Sequence, residues 1–189
     1  MQQLLSDLDV SLEDIGALVV SELVSSPALG KITREGFVDG FASVNADTVP
    51  KMRNIVQQRR SELSTNKNLF KNVYNHTFIL PLSGSQKALG LETAEELWKT
   101  LFSPDGFEWR TRSTDWLAWW LEFLTSKWNK AVNKDLWKQT LNFAEHTLKD
   151  ESLSFWTEES SWPSVIDEFV GWVKMEKRQG GGNDAMEVE

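Results

Sequence analysis

At 189 residues, with 40% hydrophobic and 25% charged side chains and only 5 Pro and 11 Gly, the chain suits one ordinary folded domain, which excludes a disordered or fibrous protein. Zero cysteines exclude a disulfide framework, thiolate zinc sites and any intermediate carried on a cysteine sulfur of this chain. A net charge of −8, of which Asp184, Glu187 and Glu189 supply only −3, argues against nucleic acid and anionic membrane as partners and favours basic proteins.

The start, MQQLLSDLD, lacks the basic and apolar regions of a signal peptide, and no apolar run approaches the ~20 residues of a membrane span. An intracellular protein of cytoplasm and nucleus is expected. Apolar spacing is helical almost throughout, with the prolines between or at the ends of periodic segments, so the fold class is all-α. The first helix is predicted over residues 12–24. Ile15, Leu18, Val19 and Leu23 make one stripe, while Ala17, Val20 and Val24 project on the other side. A helix apolar on two faces is sandwiched, or it lines a groove.

Next comes SSPALGKITREGFVDGF, with the rhythm of an EF-hand loop and Gly30 at the sharp turn. With Gly30 as the sixth loop position, Ser25, Pro27 and Leu29 fall where calcium needs oxygen donors, and Gly36 where it needs a bidentate Glu. The segment is therefore read as a helix-pairing device without calcium ligands.

A third helix is predicted from residues 47–50 onward, burying Met52, Ile55, Val56 and Leu63 and carrying Arg53, Arg59 and Arg60 on its other face. NLFKNVYNHTFIL is a fourth, stopped by Pro81, and residues 91–102 are a fifth. Thr114 is expected to cap a sixth, with Trp116, Trp119, Trp120, Phe123 and Leu124. Asn133 caps a seventh, whose core stripe is Trp137, Leu141, Ala144 and Leu148. The last helix begins near Pro163 and buries Ile166, Phe169, Val170 and Val173. Residues 179–189, QGGGNDAMEVE, have no periodicity and are expected to form a disordered acidic tail. No self-similarity marks a solenoid.

Of the ten tryptophans, six lie between Trp98 and Trp128; rings at helical spacing fill gaps between helices, and Trp109, in a loop-like stretch, is the one expected to be exposed. His76 and His146 lie far apart, and there is no GxSxG elbow, Gly-rich phosphate loop or HExxH helix. No catalytic dyad, metal or cofactor is expected. Between Asp150 and Glu168 there are six acids and no Lys or Arg. They gather at one helix start, where the dipole tolerates them, and Asp135 joins them if the last two helices pack antiparallel, making an acidic site for a basic partner.

These residues carry a family resemblance. NKDLWKQTLNFAEHTLKDESLSFWTEESSWPSVIDEFVGWVK, residues 133–174, resembles the C-terminal half of the defective-in-cullin-neddylation proteins, whose fold is called the potentiating-neddylation or PONY domain. KDLW followed by SWPSVIDEF at this separation is the specific part. DLDVSLEDIGALVVSELV, GKITREGFVDG, residues 70–80, LGLETAEELWKTLF and residues 120–124 are similar to successive upstream helices, so a PONY domain is expected over residues 7–175.

The resemblance implies an EF-hand-like helical fold and a non-catalytic scaffold, or co-ligase, that holds a charged conjugating enzyme beside a cullin. The implied partners are a cullin C-terminal domain and the N-acetylated neddylation conjugating enzyme. By the family motif the cullin-contacting positions are Asp135, Ser161 and Asp167, with Ser161 standing where the family has Ala and both acids expected to be exposed. The implied pocket for the acetylated methionine comprises Ala17, Leu18, Val20, Ser21, Val24, Ile32, Leu80 and Leu97. The ubiquitin-binding N-terminal domain of many members is expected to be absent, and the protein to be monomeric. A calcium-responsive regulator, or a helical adaptor with another partner, is the alternative.

Overall fold

The computed structural model describes residues 1–178, and the expected disordered tail lies outside the described residues. The chain divides into two units, residues 1–108 and residues 109 onward. The all-α expectation is borne out: strand among the described residues is confined to Ala88–Leu89 and Val132–Asn133.

The first unit contains α1 (Gln2–Asp7), α2 (Ile15–Leu23), α3 (Arg34–Ser43), α4 (Val49–Glu62), α5 (Lys67–Thr77) and α6 (Leu91–Leu101). α1 is too short to show a helical period, yet it buries Leu5. α2 starts later than its apolar spacing predicts. Asp14 accepts the Gly16 N–H at 2.6 Å and caps the helix, which leaves Leu12 outside it and 59% exposed. α2 is the sandwiched kind, packed on α3, α4 and α5, and its Val19, Val20 and Val24 are fully buried.

Between α2 and α3 the loop turns through left-handed Ser25 and Gly30, with φ of 47° and 71°. Thr33 then caps α3 through the Gly36 N–H at 3.0 Å. α3 crosses the end of α2 at close range because Gly36 and Gly40 face it. A Cβ on Gly36 would lie 2.2 Å from the Val24 carbonyl oxygen, and one on Gly40 2.2 Å from that of Leu23. Glycine at position 36 thus serves helix approach at the place where an EF-hand keeps its bidentate Glu. In an unconstrained helix, Gly→Ala stabilises by about 1 kcal/mol. Here Gly40→Ala is expected to cost about 1–3 kcal/mol, as overpacking against rigid backbone does. Thermal unfolding gives the check, with a midpoint lowered by several degrees; a raised midpoint would contradict the close approach.

α4 buries Met52 and Val56 as expected, with Leu63 buried at its C-cap, while Ile55 is only half-buried against the core cluster. Its arginines reach back to the first turns of the unit: Arg53 Nε pairs with Asp9 at 2.9 Å, Arg59 with Glu22 at 2.7 Å and Arg60 with Asp14 at 2.7 Å. α5 is capped by Asn66 and joined to α6 in the core, where Trp98 Nε1 donates to the Tyr74 hydroxyl at 2.9 Å. Burial pushes the Tyr74 phenol well above its usual value, so it stays protonated.

The second unit contains α7 (Trp116–Phe123), α8 (Lys134–Thr147) and α9 (Ser164–Trp172). α7 and α9 run on as π-helical turns, Leu124–Trp128 and Val173–Lys177. These are tied together by Lys127–Glu176 at 3.0 Å and Lys177–Glu122 at 2.8 Å. Asp115 rather than Thr114 caps α7, accepting the Ala118 N–H at 3.0 Å. Asn133 caps α8 as read, through the Leu136 N–H at 2.8 Å. The aromatic core joins Trp120 to Phe169 at 5.0 Å between centroids, and Phe143 to both Trp109 and Phe169. The expectation that Trp109 is exposed is overturned. It is 1% exposed and donates its indole N–H to the Thr147 hydroxyl at 2.8 Å, because the 109–114 stretch folds under α7, with the Leu117 N–H donating to the Trp109 carbonyl.

Candidate functional site

The three positions matched to the cullin-contacting motif all lie in the second unit. Asp135 sits in the first turn of α8, exposed, beside a helix start already capped by Asn133. Ser161 is exposed two residues before α9's N-cap Pro163, and Asp167 occupies the first turn of α9. Asp167 departs from the expectation of a free surface charge: it is half-buried, and the Trp156 indole N–H donates to its Oδ1 at 2.8 Å.

Between Ser161 and Pro163, the Trp162 ring packs edge-on against Phe143 at 5.6 Å and His146 at 5.7 Å, in the C-terminal half of α8. Asp135 stands at the other end of that helix, eight residues or about 12 Å from Phe143. The Trp162 ring, next to α9's N-cap, thus packs on the later turns of α8, and no hydrogen bond or ion pair links Asp135 to the other two positions among the described residues. Asp135 and Ser161 are accessible and Asp167 is half-accessible. Upstream of it, Asp150 accepts from the hydroxyls and N–H groups of Ser152 and Ser154, which lowers its carboxyl to about 2 and pins the turn carrying buried, left-handed Leu153.

The eight positions matched to the methionine pocket all lie in the first unit. Ala17, Val20 and Val24 belong to a core cluster with Leu5, Leu8, Phe41, Met52 and Val56, and Ile32 is half-buried against it. Ser21 is buried, and its hydroxyl donates to the Ala17 carbonyl at 2.8 Å. Leu18 is 8% and Leu80 1% exposed, whereas Leu97 on α6 is half-exposed. The Leu29 N–H donates to the Leu80 carbonyl at 2.8 Å, which draws the loop before Ile32 to the end of α5. Beside Ser21, on α5, the half-buried His76 imidazole is held below its usual value by burial, with Glu22 opposing. Six of the eight positions are packed, and Ile32 and Leu97 are the two that reach the surface.

An apolar cleft of about 480 Å³ opens elsewhere, between α3 and α4, lined by Phe37, Val38, Phe41, Ala42, Ala46 and Met52 among others. The sequence reading missed it. Its signal is Val38, on the face of α3 opposite the glycines and 52% exposed. Among the described residues no group of three or more His, Asp or Glu could hold a metal ion, and no helix is long and apolar enough to cross a membrane.

Fold and surface define a class: an all-helical protein with an EF-hand-like helix pair lacking calcium ligands, and with accessible acids on its second unit. A family model described as "Cullin binding" matches residues 51–172. The chain is 42% identical over 180 residues to Defective in cullin neddylation protein 1 of Pyricularia oryzae, covering 89% of this chain and 64% of that protein. It is 32% identical to the protein of the same name in Yarrowia lipolytica (91% and 68% covered) and 29% identical to human DCN1-like protein 5 (93% and 69%). The chain belongs to this cullin-binding family. It spans about two thirds of the length of these relatives.

Proposed function

We propose that the chain is a scaffold-type co-ligase in cullin neddylation, a monomer of cytoplasm and nucleus. A PONY domain over residues 7–175 holds a cullin C-terminal region through Asp135, Ser161 and Asp167. The N-acetylated terminus of the conjugating enzyme is held around Ala17, Leu18, Val20, Ser21, Val24, Ile32, Leu80 and Leu97. The observation that carries the reading is the exposed carboxylate of Asp135 in a KDLW turn, inside the span matched by the cullin-binding model and suited to a basic partner.

The work of such a protein is juxtaposition. Holding acceptor and charged enzyme on one chain replaces a bimolecular encounter with an effective concentration in the millimolar range, and orientation adds to it. In the transfer the acceptor lysine's amine attacks the thioester carbonyl and the conjugating enzyme's cysteine leaves as its thiolate, in keeping with a sequence that has no cysteine to carry a thioester. Ser161 puts a hydroxyl where the family has a methyl, a group small enough to keep the contact while adding a desolvation cost.

The test is a reconstituted neddylation reaction with purified cullin and conjugating enzyme, with and without this protein. At sub-micromolar reactants the expected result is an acceleration of tenfold or more, given an effective concentration in the ~millimolar range, that depends on the acetyl group. Identical rates with and without the protein would overturn the reading.

A further inference from the structure

Trp156 lies in the irregular stretch between α8 and α9 and has no part in the readings above. Its ring is half-buried and makes two directional contacts. The indole N–H donates to Asp167 Oδ1 at 2.8 Å, and Lys174 Nζ lies 4.3 Å from the ring centroid. The backbone beneath it is tied down: the Trp156 N–H donates to the Leu153 carbonyl at 3.1 Å, and Leu153 stands on the turn that Asp150 pins.

Asp167 and Lys174 are seven residues apart, two turns along one face of α9 and its π-helical extension. No ion pair joins these opposite charges, and the indole hydrogen bond is the only one the Asp167 carboxylate makes among the described residues. The indole stands in for both partners, giving the carboxylate a neutral donor and the ammonium a π-face. A carboxylate so held has one oxygen outside the indole hydrogen bond and its rotamer set before binding, so less side-chain entropy is lost on complex formation.

We infer that Trp156 is a positioning residue for the cullin-binding surface: its N–H aims the Asp167 carboxylate at an incoming basic side chain, and its ring keeps Lys174 from neutralising that carboxylate. This rests on the reading that Asp167 contacts the cullin. The role is indirect, acting through Asp167.

The experiment is a double-mutant cycle on the full chain, with calorimetric affinity for a purified cullin C-terminal domain as the readout. Trp156→Phe keeps an aromatic face for Lys174 and removes the donor. It is expected to weaken binding roughly three- to tenfold, the cost of ordering on binding a side chain that is no longer held beforehand. In an Asp167→Asn background the same change is expected to cost less than about twofold, because coupled residues do not add. Equal losses in both backgrounds would make Trp156 a structural or direct contact and overturn the inference. Unchanged binding by Trp156→Phe, with a clear loss in Asp167→Asn, would overturn the positioning role alone. Unchanged binding by Asp167→Asn would remove the cullin reading at this position and the inference with it. A measurement free of any folding defect at position 156 is the indole ¹H–¹⁵N resonance of Trp156. It is expected to move on titration with the cullin domain in the wild-type chain and to lose that response in Asp167→Asn; a resonance indifferent to both would also overturn the role.

Discussion

Asp135→Lys is expected to abolish binding to a cullin C-terminal domain while leaving the protein folded. The residue is exposed, and α8 does not depend on it for its start, because the Asn133 side chain already receives the Leu136 N–H. Losing the acid from the first turn forfeits about 0.3–1 kcal/mol of helix-dipole stabilisation. That lowers the thermal midpoint by no more than about 4 °C in a protein of this size. The interface suffers far more. Removing one partner of a close charge pair costs about 2–5 kcal/mol, which is about 30- to 4,000-fold in affinity, and a lysine adds repulsion. Asp167→Lys is a less clean probe, because it also breaks the Trp156 hydrogen bond at a half-buried site. Calorimetric titration together with a melting curve separates the effects: normal affinity in a folded Asp135→Lys variant would remove Asp135 from the cullin interface.

What could be read from the sequence followed local physics. The Asn133 cap, the proline at the start of α4 and the buried stripe Ile166, Phe169, Val170 and Val173 all express interactions within one or two turns, which spacing records. What escaped is non-local. The burial of Trp109 depends on Thr147, thirty-eight residues on, and the half-burial of Asp167 depends on an indole eleven residues earlier. At α7 two adjacent residues can each cap, and only the path of the chain into the helix selects Asp115 over Thr114. The second apolar face of α2 was compatible with a groove or a sandwich; α3 at glycine distance on one side and α4 and α5 on others make it a sandwich. The candidate pocket is correspondingly the less exposed of the two sites, since its chemistry is shared with the core.

That burial decides how the pocket is probed. An arginine at Ala17, 9% exposed within the core cluster, would test folding as much as binding, whereas Leu97 and Ile32 reach the surface and tolerate a charge. Leu97→Arg is expected to weaken an N-acetyl-methionyl peptide of the conjugating enzyme by tenfold or more, about 1.4 kcal/mol, and to leave the cullin affinity unchanged. The acetyl group itself is the larger lever. A charged ammonium entering an apolar layer costs several kcal/mol, but an α-amino group has a cheaper route, because its pKa lies near 7.7–8.0. Shedding the proton costs only about 1 kcal/mol at pH 7, at 1.36 kcal/mol per pH unit. The lost burial of the acetyl methyl adds about 0.8 kcal/mol. Together the unacetylated peptide is expected to bind about twentyfold more weakly at pH 7. The sign with pH follows from the same step. Between pH 6 and pH 8 the unacetylated peptide must gain affinity, approaching tenfold per pH unit well below its amine pKa of about 8, while the acetylated peptide has no proton there to lose. Titrations of both peptides across that range decide the matter: equal affinities at pH 7, or an unacetylated peptide whose affinity ignores pH, would mean that its terminus does not enter an apolar pocket on this chain.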